Sequence, residues 1–444
     1  MANRAHRRST RAQALAAPSR LKTAGHSPSL PPPAAAGQLP GIRPLLPFGA
    51  IVAASRQALS GPMRRLSWLK LTVVSVFCLG LAMSWRLWIG PRSFPTAPVS
   101  DLLPSSLYPV DVVLFAVLFA VAAGIIVSAK PQKFIFAFLG LIAAFCLFDQ
   151  TRWQPWVYQY GALLAALALF SWNGADTSGQ RRTLNIARLI VAMTYVFSGL
   201  QKLNPNFIDN DFPWIVEPIT NLVPSARRPL HALGMAAPFV QIAFGVGLLT
   251  ARYRRVSLAL AVSMHVFILA MFGPFGHDWN AIIWPWTAAM AVLDLLLFAG
   301  REEFSAGEIF RTDGHPYHVG VLVLFALLPF LSFVNRWDSY LSSALYSGNL
   351  TEAQIYASDA GKDSLPAPVG ARFVHTAPDT HVLSLQRWAM EELNVFPYPE
   401  TRVYRAIAKA VCGQARSPTK IVLLVHEQRM FASRPETGYR CRDL

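Results

Sequence analysis

The feature that most limits how this chain can fold is a series of long apolar runs between Leu66 and Val334. Each has roughly 17 to 25 residues, enough as a helix to cross the ~30 Å hydrocarbon core of a bilayer. Only 14% of all residues are charged, whereas soluble globular proteins have about 25%. These runs exclude a single soluble domain, a disordered chain and a nucleic-acid-binding module. They predict a multi-pass membrane protein.

Hydropathy predicts an all-α polytopic membrane protein with about nine transmembrane helices and a small α+β carboxy-terminal extramembrane domain. Lys and Arg are more frequent in the loops that lie on the same side of the membrane as the amino terminus. By the positive-inside rule, this side is the inside. We therefore expect a plasma (inner) membrane protein whose carboxy-terminal domain is outside. The predicted spans are 66–89, 108–127, 133–148, 157–172, 184–201, 235–251, 256–272, 281–299 and 318–334.

The net charge of +16 comes mainly from the amino-terminal segment. Residues 1–100 contain thirteen Lys or Arg and no Asp or Glu, which leaves +3 for the remainder. Residues 1–62 are rich in Ala, Pro, Ser and Arg, a composition that cannot bury a core and predicts a disordered arm. A transit peptide has a similar composition, and Met63 before an apolar run is also a natural start of translation.

Composition changes after the membrane domain of residues 63–334. Residues 335–444 hold nearly half of the Asp and Glu of the chain, a helical pattern from Ser384 to Asn394 and a strand-like run at Lys420–His426. These features predict a folded extramembrane domain. Cys412 and Cys441 both lie in it, and an oxidising outer compartment would permit a disulfide between them.

The fifth predicted span carries a stripe of polar and small residues at helical spacing. Such a stripe should face the interior of a helical bundle. Lys202 ends it, either as an interfacial lysine that extends to the headgroups or as a buried amine that acts as a base near neutral pH. The stripe comprises Asn185, Arg188, Ala192, Tyr195, Gly199 and Lys202.

Three further ionisable or polar residues lie inside predicted spans. His265, in the middle of the seventh span, is either a packing histidine bonded to a neighbouring helix or part of a functional site. Gln241 is expected to hydrogen-bond between helices. Asp294 lies close enough to a helix end to reach the interface, so we expect no role for it in the site.

Two polar and aromatic loop segments are predicted on the same face as Lys202. In the first, residues 148–161, Asp149 is expected to pair with Arg152. The second is His277–Asn280. Together they suggest a pocket open to the outer leaflet, and no motif for a metal site is present.

Three blocks resemble the horizontally transferred transmembrane family, which includes vitamin K-dependent gamma-carboxylases. Residues 148–161 are similar to the family's Asp-Lys-Thr-Ser-Trp…Tyr-x-Tyr-Gly stretch. Residues 195–204, Tyr-Val-Phe-Ser-Gly-Leu-Gln-Lys-Leu-Asn, are similar to its Tyr-Phe-x-Ala-Gly-x-Lys-Lys-Leu-Asp. Met264-His265 is similar to its Phe-His on a later span. The match extends over roughly residues 140 to 300.

The resemblance implies an integral membrane enzyme that oxygenates a quinol, or carboxylates a substrate, with Lys202 as the base at the outer membrane face. Reduced vitamin K or menaquinone would be the cofactor, with oxygen, and carbon dioxide in a carboxylase, as co-substrates. Expected partners are the lipid bilayer, the membrane quinol and a secreted peptide or protein substrate, with no nucleic acid. The alternative is a non-catalytic membrane protein that assists maturation or export of a secreted partner. Asp149, Arg152 and Gln241 would organise the rim of the site, and its cofactor-binding residues would be Tyr195, Gly199, His265, Trp156 and Tyr160.

Overall fold

The computed structural model describes residues 61–169, 172, 176–300, 303–428, 430 and 435–444. The predicted basic arm of residues 1–62 therefore lies almost entirely outside the described residues. The described part is mostly helical, with a small antiparallel sheet in its carboxy-terminal region.

A helix is present at each of the nine apolar segments that the sequence predicts as spans. Six of them are long and apolar enough to cross a membrane, so a multi-pass membrane protein is supported. The segments at α3, α4 and α8 are shorter, and nine crossings therefore stay a prediction. The last helix continues through wider turns at Val323–Leu327 and tighter turns at Leu328–Val334. The nine helices are α1 (Pro62–Met83), α2 (Val110–Val127), α3 (Gln132–Phe148), α4 (Pro155–Leu169), α5 (Thr177–Gln201), α6 (Arg227–Leu248), α7 (Arg254–Phe272), α8 (Ile283–Phe298) and α9 (Pro316–Leu322).

Helix α5 is the centre of the bundle, where it packs against α1, α4, α6 and α8. Its first turn is capped by Asp176, whose carboxylate accepts the backbone N–H of Gly179 at 2.8 Å. The predicted polar stripe faces inward as expected, since Arg188, Ala192 and Tyr195 are all buried.

The carboxy-terminal region contains a five-stranded antiparallel sheet in the order β2-β3-β1-β4-β5. Ile355 lies between Leu383 and Leu423 on neighbouring strands, and all three side chains are buried. Because strand residues alternate between faces, this apolar row defines a core face. Helices α10 (Leu385–Leu393) and α11 (Thr401–Gln414) pack against the sheet. The strands are β1 (Glu352–Ala357), β2 (Val374–Ala377), β3 (Thr380–Ser384), β4 (Ile421–His426) and β5 (Glu436–Arg440).

The helix and strand predicted in this region are confirmed. Ser384 caps α10 by accepting the backbone N–H of Arg387, and Asn394 ends it in the left-handed conformation at φ 58°. A disulfide joins Cys412 on α11 to Cys441 after β5, with Cα atoms 5.7 Å apart.

Glu392 of α10 fastens this domain to the loop that follows α1. Its carboxylate accepts the backbone N–H of Phe94 at 3.1 Å and also bonds Ser93, while Trp388 Nε1 donates to it at 2.9 Å. The sheet domain therefore sits at the end of the bundle where α1 and α5 end. Short helices complete the connections at Trp85–Trp88, Phe212–Ile215, Glu217–Leu222, Ala306–Phe310, Asp359–Asp363 and Ala367–Gly370.

Candidate functional site

A cavity of about 500 Å³ lies within the helical bundle, and we call it the membrane cavity. Side chains of α4 to α8 and of residues 340–346 line it, and most of them are apolar. Small-molecule sites typically have this size and combine an apolar lining with a few polar groups. The polar groups that line it include Gln159, Thr194, Tyr195, Ser198, Lys202, Gln241 and His265.

Lys202 lies at one end of this cavity, directly after the last residue of α5. Its amine donates to the carbonyl oxygen of Ser198 at 3.0 Å and to the hydroxyl oxygen of Ser198 at 2.6 Å. It forms no ion pair within the part of the chain that the structure describes. The side chain is half-buried because the cavity itself reaches it.

The surroundings of Lys202 favour its neutral form. Burial lowers the pKa of this amine to about 7, against the opposing effect of the negative charge of Asp211. A neutral amine near physiological pH can accept a proton, whereas an ordinary surface lysine cannot. This environment is compatible with a role for Lys202 as a base, and its position at the end of α5 is compatible with an interfacial anchor.

Tyr195, His265 and Asp294 form a hydrogen-bonded group further along the cavity. Tyr195 Oη donates to Asp294 Oδ2 at 2.8 Å and lies 2.7 Å from His265 Nε2. Because the hydroxyl gives its one hydrogen to Asp294, His265 Nε2 supplies the hydrogen of the other bond. In a neutral imidazole, Nδ1 is then an acceptor, and it has no partner among the described residues.

The position of Asp294 corrects the expectation from the sequence. Asp294 does not reach the interface: its side chain is fully buried, and His265 Nε2 lies 3.6 Å from its carboxylate. The reason is that α8 packs against α1, α5 and α7, and Asp294 lies on the side of α8 that faces Tyr195 of α5 and His265 of α7. Its place within an apolar helix was the available signal, since buried carboxylates in such helices need a partner.

A polar part of the cavity wall was not predicted from the sequence. Gln159 Nε2 donates to Thr194 Oγ1 at 3.2 Å, and Trp286 Nε1 donates to Gln159 Oε1 at 2.8 Å. All three side chains line the membrane cavity. A glutamine inside an apolar helix is the signal by which this wall could have been found.

Gly199 does not line the cavity but allows two helices to approach closely. A Cβ atom at this position would lie 2.8 Å from the carbonyl oxygen of Pro238 on α6, too close for any side chain. Gly245 on α6 makes the reciprocal contact with Tyr195 and Val196. Small residues commonly allow such crossings in membrane bundles, and this contact places Tyr195 relative to α6.

Trp156 and Tyr160 also lie away from the membrane cavity. Both are buried against Phe77 of α1, at ring-centroid distances of 5.4 Å and 5.9 Å. The Tyr160 hydroxyl has no hydrogen-bond partner in the described ranges. These two side chains are part of the packing between α1 and α4. Gln241, by contrast, does line the cavity.

The expected ion pair between Asp149 and Arg152 is wrong. Asp149 pairs with Arg92, which lies in the loop after α1. Arg152 instead donates to three backbone carbonyl oxygens, those of Leu87 at 2.9 Å, Phe145 at 2.8 Å and Trp88 at 3.1 Å. Neither residue lines the membrane cavity, and the two groups hold the loops at this end of the bundle together.

The membrane cavity thus combines the amine of Lys202, the hydroxyl of Tyr195 and the imidazole of His265 within mostly apolar walls. Among the described residues, no group of three or more His, Cys, Asp or Glu is arranged to hold a metal ion. No family model, curated protein or solved structure matches this chain, so the chemistry of the site is argued from its own residues.

Proposed function

We propose that this protein is a membrane-embedded enzyme that binds a quinol in the membrane cavity and deprotonates it with Lys202. The observation that carries the proposal is that one apolar cavity brings together Lys202 and Tyr195, from the end of α5, with His265 of α7. A lipid-soluble, hydroxyl-bearing aromatic molecule fits such a lining because its ring contacts apolar side chains and its oxygens need hydrogen bonds.

Lys202 acts first, as the base. Its neutral amine accepts the proton of a ligand hydroxyl, so that an N–H bond forms while the O–H bond breaks and its electron pair stays on the oxygen. The apolar surroundings exclude water that would otherwise supply a competing proton. Ser198 orients the amine by accepting its other N–H groups.

Tyr195 and His265 hold the opposite side of the ligand. Lys202 and Tyr195 are seven residues apart on one helix, about 10 Å along its axis, which leaves room for an aromatic ring system between their side chains. His265 also lines the cavity and is hydrogen-bonded to Tyr195 Oη, so it supports the tyrosine on that side of the ligand.

Reduced vitamin K or menaquinone is the ligand that follows from the family resemblance, with oxygen as the co-substrate. Carbon dioxide and a secreted peptide or protein would be further substrates if the reaction includes carboxylation. We place the amino terminus inside and the sheet domain outside the plasma membrane. Alkaline phosphatase and fluorescent-protein fusions after residue 340 would report the side, and fluorescence in the cytoplasm would contradict this orientation.

The decisive experiment is oxygen consumption by the purified protein with reduced menaquinone. Lys202→Arg keeps a long cation but cannot lose its proton at usable pH. The rate should fall by roughly 100-fold or more, the usual contribution of a general base. Lys202→Ala should be equally inactive, and melting should show that both variants fold.

Lys70→Arg is the matched control. Lys70 of α1 is also buried, and its amine donates to the carbonyl oxygens of Ile126 and Ser128 at 3.2 Å and 3.3 Å. It does not line the membrane cavity, so its arginine variant should retain the wild-type rate. Full activity of Lys202→Arg would refute the base. No quinol-dependent oxygen uptake by the wild type would favour the alternative, a non-catalytic protein for maturation or export.

A further inference from the structure

The side chains that line the membrane cavity differ in exposure from one wall to another. Among the lining residues that the structure describes, those outside α6 and α7 are all buried or half-buried. The exposed ones belong to these two helices and include Leu233 and Val240 of α6, at 55% and 44%, and Leu260 of α7, at 42%. Ala236 and Ser263 are the other two. The cavity is therefore open between α6 and α7, and we call this gap the lateral opening.

The lateral opening lies at the depth of the hydrocarbon core. Helices α6 and α7 are both long and apolar enough to cross a membrane. Val240 lies eight residues before the end of α6, and Leu260 lies six residues after the start of α7. At 1.5 Å per residue these positions are about 12 Å and about 9 Å from the loop that joins the helices. In a core of about 30 Å, the opening faces acyl chains.

The rim of the lateral opening has no charge. Four of its five side chains, those of Leu233, Ala236, Val240 and Leu260, are apolar, and Ser263 is the fifth. A charged or strongly polar group that passed this rim would lose its hydration and gain almost no partner. An apolar chain has no such cost, because it exchanges contacts with lipid for contacts with the rim. The rim therefore suits an apolar chain.

The size of the membrane cavity sets a limit on how much of a ligand it can enclose. Its volume of about 500 Å³ is typical of sites that surround one drug-sized molecule. A ring system fits this space, but a lipid-soluble molecule with a long chain does not fit in it entirely. Such a chain has to leave the cavity, and the lateral opening is where the described lining is exposed.

We propose that the ligand of the membrane cavity is an amphipathic lipid whose apolar chain passes between α6 and α7 into the bilayer. Its ring lies near Lys202 and Tyr195, and its chain lies beside Val240 and Leu260. The same gap is the route by which the ligand enters from the membrane. This inference rests on the proposed function for the ring of the ligand, whereas the passage of an apolar chain can be tested without any quinol.

The first experiment asks whether acyl chains reach the cavity. The photoreactive amino acid p-benzoylphenylalanine, which captures C–H groups, takes the place of Met290, a buried residue of α8 that lines the cavity. After illumination in liposomes, mass spectrometry should find phospholipid attached at this position. Val240→Phe, which narrows the opening, should remove this product.

The same amino acid in place of Val246 reports the lipid exposure of α6 itself. Val246 is 47% exposed and does not line the cavity, so it should capture phospholipid with or without Val240→Phe. Capture at Val246 but not at Met290 would overturn the lateral opening. Capture at neither position would also overturn it, because another protein copy and not lipid would then cover this face.

The second experiment compares two quinones that have the same ring. Menaquinone-4 carries an isoprenoid chain, whereas menadione has none. Binding to the full-length protein in a maltoside detergent is measured by quenching of tryptophan fluorescence, since Trp286 lines the cavity. Val240→Phe should weaken menaquinone-4 binding by roughly tenfold or more, because the larger side chain occupies the path of the chain. It should leave menadione binding unchanged.

Val246→Phe is the matched control for this comparison. It places the same ring on an exposed valine of the same helix, away from the cavity, and should leave the binding of both quinones unchanged. Equal losses in Val240→Phe and Val246→Phe, equal losses of both quinones in Val240→Phe, or no loss at all would overturn the path of the chain. If the wild type binds neither quinone, the proposed function fails, and lipid capture at Met290 still decides whether the opening admits a chain.

Discussion

The hydroxyl of Tyr195 joins two buried groups, and its removal is the sharpest test of the site's architecture. Tyr195→Phe keeps the ring and its packing against Phe244, at a centroid distance of 5.1 Å. It removes the only hydrogen-bond partner that His265 Nε2 and Asp294 Oδ2 have among the described residues. His265 is 4% exposed and Asp294 is fully buried, so water cannot replace the lost bonds without entering the bundle.

The expected loss of stability follows from these two buried groups, which would have no hydrogen-bond partner. A buried donor or acceptor left without a partner costs about 1–3 kcal/mol. The free energy of unfolding of Tyr195→Phe should therefore fall by roughly 2–6 kcal/mol relative to wild type. His265 Nε2 lies 3.6 Å from the Asp294 carboxylate, so a small movement can form a direct bond and place the result near the lower value.

Tyr160→Phe is the control that isolates the hydrogen bonds from the loss of an oxygen atom. Tyr160 is also a fully buried tyrosine of the bundle, but its hydroxyl has no partner in the described residues. Its removal should leave stability unchanged or increase it slightly. The assay is thermal unfolding in detergent, followed by the reaction of a fluorogenic maleimide with Cys146, which is buried in the folded protein. Wild-type melting of Tyr195→Phe, or a larger loss in Tyr160→Phe, would refute the assigned network.

Three further predictions concern pH and the disulfide. Burial and the charge of its neighbours raise the pKa of Glu400 to about 7, so the folded state holds a proton that the unfolded state releases. The stability from this group is present below pH 4.5 and is lost as pH rises through 7. Glu400→Gln should therefore increase the free energy of unfolding at pH 8, by at most about 3 kcal/mol. At pH 4 the variant should melt at the wild-type temperature. Cys412→Ser should destabilise the sheet domain by roughly 3–4 kcal/mol, given a separation of 29 residues from Cys441, and a reductant should reproduce this shift in the wild type alone. The rate of quinol-dependent oxygen uptake should rise with pH through an apparent pKa of about 7, because only neutral Lys202 accepts a proton. Asp211→Asn should move this midpoint to lower pH, because the charge of Asp211 raises the pKa of Lys202. A rate that does not change with pH would contradict the assignment of Lys202 as the base.

The positions of the helices could be predicted from the sequence because each depends on a local property. A run of apolar residues becomes a helix in a bilayer, since no other structure satisfies its backbone groups. The inward stripe of α5 follows from helical spacing in the same way. The same logic identified Lys202, Tyr195 and His265, which the structure brings into one cavity.

Partners that lie far apart in the chain could not be predicted. Asp149 has Arg152 three residues away, but the loop after α1 brings Arg92 to it from 57 residues away. Spacing in the sequence favours Arg152 as the partner of Asp149, whereas the path of the loop after α1 brings Arg92 into contact with it instead. The expectation for Asp294 was wrong for a related reason. Its distance from the helix end suggested access to the interface, but the helices around α8 determine its burial.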